Sequence, residues 1–387
     1  MAAKLCFFPV GNGDMTLIQT EDGKNILIDC RIRDGEEHPD VRSQLREKLS
    51  RDSEGRLFVN LFIWTHPDSD HCDGVSDHFH LGKPENWSEK SDKIFINEIW
   101  SSPIVFRRHH AQNHPLCDDA IALNTEVKRR VNLYKEKGYL DGVGNQVLVL
   151  GKDENGKTDD IPYILLELDN TTSYINGESS SVFQARLLGP SPKKDLDELE
   201  DKLGKNHSSV IINFELKGDN KTAYFLSGGD AEVVCWEGVK DRLSDKNEMS
   251  WLDYDILQTP HHCSWHSISH DSLSQKGDDA KTSEKAMEVF NRAKQNAFII
   301  SSSKTIEDDE KDPPAYRAKE EYEKITDDKN GQFLCVSDHK KNGKNVPLEI
   351  EISSNGIKKI AASTLGMAES SNTVVNRQGG GGYACLS

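Results

Sequence analysis

The residues Leu57–Val75, LFVNLFIWTHPDSDHCDGV, limit what this chain can fold into more than any other stretch. An apolar run from Phe58 to Trp64, with Asn60 inside it, is bounded by polar residues. A run of this length reads as a strand buried on both faces, or as a segment of buried helix. It stops at Thr65, and His66, Asp68, Asp70 and His71 come within the next six residues. A tight loop at a strand end can aim four such side chains at one point. Imidazole together with carboxylate suits zinc, manganese or iron. The plainer alternative is a polar surface loop in which His and Asp happen to gather. Two more clusters weigh against it, Ser227–Asp230 (SGGD) and His261–Ser264 (HHCS), each directly after an apolar run.

Composition narrows the function. The chain has 387 residues, room for one large domain or two ordinary ones. With 48 Lys and Arg against 65 Asp and Glu, its formal net charge is −17. That argues against a broad basic face tracking a nucleic-acid backbone. It leaves room for a small phosphate site beside a metal, because the metal brings its own charge. The eight cysteines are scattered, with no C-x-x-C pair, which fits a reducing cytoplasm better than a disulfide framework. The opening MAAKLCFFPV has too short an apolar core for a signal peptide. No segment approaches the ~20 apolar residues of a membrane helix. A cytoplasmic protein with no membrane partner is expected.

Along the chain, Leu5–Val10, Met15–Gln19 and Asn25–Cys30 read as strands joined by the turns GNGD and EDGK. Asp40–Leu49 has helical periodicity, Ile94–Ile99 reads as a strand and Cys117–Lys137 as a long helix. Between them, Arg107-Arg108-His109-His110 is either a solvated turn or a substrate-binding patch for phosphate or carboxylate. The long interval from His71 to Asn206 predicts an inserted helical cap over about 83–150. Ser209–Glu215 and Thr222–Leu226 form a hairpin pattern around Gly218–Asn220. Glu232–Leu243, Ser283–Asn296 and Tyr316–Ile325 read as helices, Tyr254–Leu257 and Ala297–Ser301 as strands. Phe333–Val336, Leu348–Ile352 and Ile357–Ala361 are expected to close a second sheet. One domain over 1–366 is followed by a Gly-rich tail, 367–387, which is either a flexible end or a contact or modification site for a protein partner.

The motif set resembles a known family. THPDSDHCDG is similar to the H-x-H-x-D-H signature of the metallo-β-lactamase superfamily, with Asp68 in place of the second His. The nearer likeness is to the metallo-β-lactamase-like domain of ComEC-type DNA-uptake proteins and their free-standing soluble relatives. Their V-G-Q-G-D, L-I-D, N-x-x-S, G-D and H-H-G-S motifs find counterparts, in order, in Val10–Asp14 (VGNGD), Ile26–Asp29 (ILID), Asn206–Ser209 (NHSS), Gly229–Asp230 and His261–Ser264. The resemblance spans roughly residues 4 to 360 and implies an α/β fold, the αββα four-layer sandwich.

It also implies a binuclear centre with a bridging hydroxide. By that resemblance His66 and Asp68 fall on one metal, and Asp70 and His71 on the other. Asp230 bridges them, and either His261 or His262 completes the second site. His207, within NHSS, is either the third ligand of the first site or an ordinary loop histidine. Zinc is the first expectation for the two divalent ions; the Asp68 replacement moves preference toward manganese or iron. Ser264 is a ligand- or substrate-bonding candidate, and Arg107 and Arg108 are substrate-binding candidates. Asp70 and Asp230 are the residues on which catalysis is expected to depend. The activity implied is hydrolysis of a phosphodiester, in a nucleotide or nucleic acid. The alternatives are a metal-dependent hydrolase of an amide, peptide or thioester, and a non-catalytic metalloprotein scaffold with a modifiable tail.

Overall fold

The computed structural model describes residues 2–106, 115–192 and 204–361. The Arg107–His110 run and the 367–387 tail therefore lie outside the described residues.

The fold is mixed α/β, built on two large sheets. The first runs, edge to edge, Gly356–Lys359, Leu348–Ser353, Ala3–Phe7, Thr16–Gln19, Asn25–Ile28, Phe58–Ile63, Phe95–Ser101, Gln146–Leu150 and Leu165–Leu166. It is antiparallel up to Asn25–Ile28 and parallel beyond it. The second runs Thr171–Thr172, Phe183–Gly189, Ile211–Gly218, Lys221–Ser227, Tyr254–Gln258, Ala293–Ser301 and Gln332–Cys335. It turns parallel after Lys221–Ser227. Each sheet thus has a parallel half, whose central strands Phe58–Ile63, Phe95–Ser101 and Tyr254–Gln258 are buried almost throughout, as parallel strands covered on both faces are. Asn60, the polar residue inside the Phe58–Ile63 run, accepts from Asn25 N at 2.8 Å and bonds the neighbouring strand.

One apolar cluster is shared by both sheets. Leu5, Phe7, Ile63 and Trp100 of the first meet Phe183, Phe214, Phe225 and Ile300 of the second. Phe7 packs edge-on to Phe225 at 5.8 Å, and Trp100 lies 6.3 Å from Phe183. A second cluster joins the first sheet to the helices Val41–Arg46 and Asp118–Lys137. A third joins the second sheet to the helices Val233–Asp245, Glu284–Phe290 and Tyr316–Asp328. Among the described residues no helix is long and apolar enough to cross a membrane.

Three expectations change. Leu348–Ser353 and Gly356–Lys359 do not extend the second sheet; they return to the first, where Ile350 pairs with Leu5. Their apolar residues Leu348, Ile350 and Ile352 fill the cluster between the sheets, which an apolar pattern alone assigns to neither. The helix expected over Ser283–Asn296 ends at Phe290, and the next strand begins at Ala293. The 83–150 segment supplies Phe95–Ser101 and Gln146–Leu150 to the first sheet instead of standing outside it as a cap. Its helix Asp118–Lys137 lays Ala120, Leu123, Val127 and Tyr134 on that sheet. Arg130 anchors it: Nε donates to Glu126 at 2.7 Å, and the guanidinium also donates to the backbone oxygens of Ile96, Asn97 and Gln146.

Candidate metal centre

All three sequence clusters sit at the C-terminal ends of strands in the parallel halves, Phe58–Ile63, Lys221–Ser227 and Tyr254–Gln258. In open α/β sheets that is where strand ends splay apart and loops converge on a ligand. Val210 N, just past NHSS, donates to Thr65 O at 3.0 Å, and His261 N donates to Gly229 O at 2.9 Å, so the first loop is tied to the NHSS segment and the third loop to the second. Gly229 has φ +50, and a Cβ there would stand 2.7 Å from Thr65 Oγ1. The loops approach this closely because no side chain intervenes.

After Thr65 a tight turn over Ser69–His71 gathers the first ligand candidates. His71 N donates to Asp68 O at 3.0 Å, closing the turn. On the opposing loop His261, His262 and Cys263 have φ of 49°, 54° and 69°. Three consecutive non-glycine residues in the left-handed region carry strain, a feature that concentrates at functional sites. Cys263, where the resembled motif has glycine, therefore adopts the glycine-like backbone despite its side chain.

The side chains converge on Asp230. Its Oδ1 lies 2.9 Å from His71 Nε2 and 3.4 Å from His262 Nε2, and its Oδ2 lies 3.9 Å from His66 Nδ1 and from His261 Nε2. Asp70 Oδ2 lies 3.3 Å from His262 Nε2. Among the described residues three metal-capable groups result: Asp70, His71, Asp230 and His262; His66, Asp68 and Asp230; and, behind His71, Asp14, Asp29 and His71. The first two share a carboxylate, Asp230.

The spacing fits an ion. Two ligand atoms ~2.1 Å from one ion stand ~3.0 Å apart at a right angle and ~3.4 Å at the tetrahedral angle. Three separations within the four-residue group, 2.9, 3.3 and 3.4 Å, fall in or at the edge of that span. The 3.9 Å separations around His66 are wider, so the three-residue group has to close by about half an ångström to hold one. Buried ring nitrogens point the same way. His66 Nε2, His261 Nδ1 and both nitrogens of His262 lack a hydrogen-bond partner, which buried polar atoms rarely tolerate.

Electrostatics is consistent. Burial alone would push the Asp230 carboxyl up, but the charges of His71, His262 and His261 outweigh it and hold it well below the usual range. Burial lowers His71 and His262, yet neighbouring carboxylates reverse the sign: Asp230 and Asp29 raise His71, and Asp230, Asp14 and Asp70 raise His262 to about 10. In His66 burial prevails, and its pKa is lowered. The raised imidazoles and lowered carboxylates offset each other's charge; a divalent ion bound at these groups would displace imidazolium protons.

The fold gathers most of the expected residues and leaves others aside. His66, Asp68, Asp70, His71, Asp230 and His262 come together. Of the two adjacent histidines, His262 joins the four-residue group; His261 turns Nδ1 to Glu232 at 3.9 Å. His207 stands outside the groups: Nδ1 accepts from Gly204 N at 2.9 Å, and Nε2 lies 3.4 Å from Glu232. Ser264 is buried, and its Oγ accepts from His266 N at 3.1 Å. Arg107 and Arg108 lie outside the described residues.

Four contributors were not singled out as site residues from sequence. Asp29 accepts from His71 Nδ1 at 2.7 Å and Thr65 N at 2.8 Å. Asp14 lies 3.4 Å from His262 Nδ1. Both carboxylates end motifs already visible, ILID and VGNGD, and that was the available signal. Glu232, two residues past Asp230, links His207 to His261. Lys205 ion-pairs with Asp68. An ion held by His66, Asp68 and Asp230 would compete with that ammonium. Lys205→Met is therefore expected to tighten metal binding at this three-residue group up to about fivefold, since a part-exposed pair contributes about 0–1 kcal/mol; a metal titration reads it.

Compared with known families and curated proteins, the chain matches no family model and no curated sequence.

Proposed function

We propose that this chain is a metal-dependent hydrolase with a binuclear centre, a free-standing member of the metallo-β-lactamase superfamily akin to the ComEC-type domain, acting on a phosphodiester. The observation that carries the reading is Asp230, one buried carboxylate shared by two metal-capable groups. The three apolar clusters, one between the sheets and one outside each, support the αββα architecture that goes with it. The order of the motifs along the chain supports it too.

His66, Asp68 and Asp230 would hold one ion, and Asp70, His71, His262 and Asp230 the other. Such ions, when bound, supply Lewis acidity and acidify a water at neutral pH. The chain's own residues supply orientation. Asp29 fixes the ring of His71 by accepting from Nδ1, which leaves Nε2 facing Asp230. Asp14, on the Gly-rich hairpin, lies 3.4 Å from His262 Nδ1 and would take the corresponding place behind that ring. Carboxylates behind ligating imidazoles hold the tautomer and raise ligand basicity. Burial of His66, His71, His262 and Asp230 keeps bulk water from competing for them.

The test is a substrate panel on protein stripped with chelator and reloaded with zinc or manganese. Turnover of bis-p-nitrophenyl phosphate is the expected result. Turnover of amides or thioesters alone would overturn the substrate class. Metal-loaded protein inert toward every ester and amide would overturn the hydrolase reading.

A further inference from the structure

We propose that Arg31 and Lys304 form an anion-holding rim beside the metal centre, placed to grip the phosphate of the substrate. The inference rests on the hydrolase reading and deepens it by adding the residues that select an anionic ester.

The rim is built around the GNGD hairpin. A Cβ on Gly13 (φ +156) would stand 2.5 Å from Arg31 Cδ, 2.7 Å from Arg31 Nη1 and 2.9 Å from Asp70 O. A Cβ on Gly11 (φ +78) would stand 3.7 Å from Lys304 Cγ. The two glycines let the hairpin lie flat between the two cations and the Asp70 loop. Its position is fixed from three sides. Asp14 N donates to Asp70 O at 3.1 Å, Ser302 Oγ donates to Gly13 O at 2.7 Å, and Lys304 N donates to Asn12 Oδ1 at 2.9 Å. Arg31 is held as well, because its backbone pairs with Asp73 just past the ligand turn.

Both cations have capacity to spare. Arg31 Nε is buried without a hydrogen-bond partner. Among the described residues, neither Arg31 nor Lys304 has a carboxylate within ion-pair distance, whereas Lys205 is paired with Asp68 and Lys311 with Asp309. Neighbouring Arg33 is already committed, donating to Val10 O at 2.7 Å. Arg31 packs against Gly13 and the Asp70 loop, and Lys304 against Gly11 and Asn12, so the two cations flank the hairpin that carries Asp14. A guanidinium matches two phosphate oxygens at once, and an ammonium adds a point charge. Past Asn12 and Lys304 a cleft of about 440 Å³ opens, bordered also by Lys340, by Lys311 with its partner Asp309, and by Glu307, with room for the group the phosphate carries.

The test uses the full chain loaded with zinc and inorganic phosphate as the probe. Calorimetry should show phosphate binding at least tenfold weaker in the Arg31→Gln/Lys304→Gln double variant, at unchanged metal content. Arg31→Lys should recover part of the loss. On bis-p-nitrophenyl phosphate the double variant should raise KM more than it lowers kcat. Equal phosphate affinity in wild type and double variant would overturn the rim, and so would loss of metal together with loss of phosphate. Lys304→Gln alone, at an exposed position, guards against misfolding; unchanged binding there removes Lys304 from the rim. If the wild type binds phosphate through these residues but hydrolyses nothing, the rim stands and the hydrolase reading falls. If hydrolysis proceeds and phosphate binding ignores both residues, the reverse holds.

Discussion

Asp230→Asn is expected to release both metal ions together and to reduce hydrolysis far beyond the ~10–100-fold that loss of an outer carboxylate brings. The reason is its double membership. Oδ1 faces His71 and His262, and Oδ2 faces His66 and His261. An amide keeps the shape but withdraws the negative charge from both groups and puts a donor where one oxygen stood. Far-ultraviolet circular dichroism should be unchanged, because the apolar clusters that hold the sheets do not include this side chain. Full hydrolysis in this variant would remove Asp230 from the mechanism.

The second large effect is one step removed from the ions. Asp29→Asn is expected to weaken metal binding ~10–100-fold without removing any proposed ligand. Asp29 is fully buried and accepts from His71 Nδ1, Thr65 N and Thr65 Oγ1 at once. Burial raises its pKa to about 6 even with the His71 charge beside it. An asparagine can serve Thr65 through its oxygen but then presents NH2 to His71 Nδ1, which favours the wrong tautomer. Competition with a chromophoric chelator measures the loss. Unchanged affinity in Asp29→Asn, alongside lost affinity in His71→Ala, would confine Asp29 to a structural role.

Much of this was legible in the sequence because strand ends and ligand residues coincide. The runs ending at Trp64, Ser227 and Gln258 mark strands, and just past each comes a ligand-type residue: His66, Asp68, Asp70 and His71 after the first, Asp230 after the second, His261 and His262 after the third. The hairpin around Asp219 and Asn220 was legible for a similar local reason: both adopt positive φ, which Asp and Asn tolerate. The features that stayed hidden are those that only tertiary contact decides. Leu348–Ser353 has the pattern of any half-buried strand, and nothing local says that its partner is Ala3–Phe7 at the other end of the chain. Choosing between His261 and His262 depends on the left-handed turn, which throws adjacent rings to different sides. Glu232 and Lys205 lie next to recognised motifs, but their roles depend on neighbours from other loops. The 83–150 segment reads as a cap from its motif-free length, whereas Arg130 and its carbonyl partners tie it into the sheet.

The most direct measurement is metal content per chain by elemental analysis, on protein purified without chelator and reloaded with zinc or manganese, for wild type and Asp230→Ala side by side. The shared carboxylate predicts about two ions in the wild type and the loss of both in the variant. Two ions retained by Asp230→Ala, or none taken up by the wild type after reloading, would contradict it.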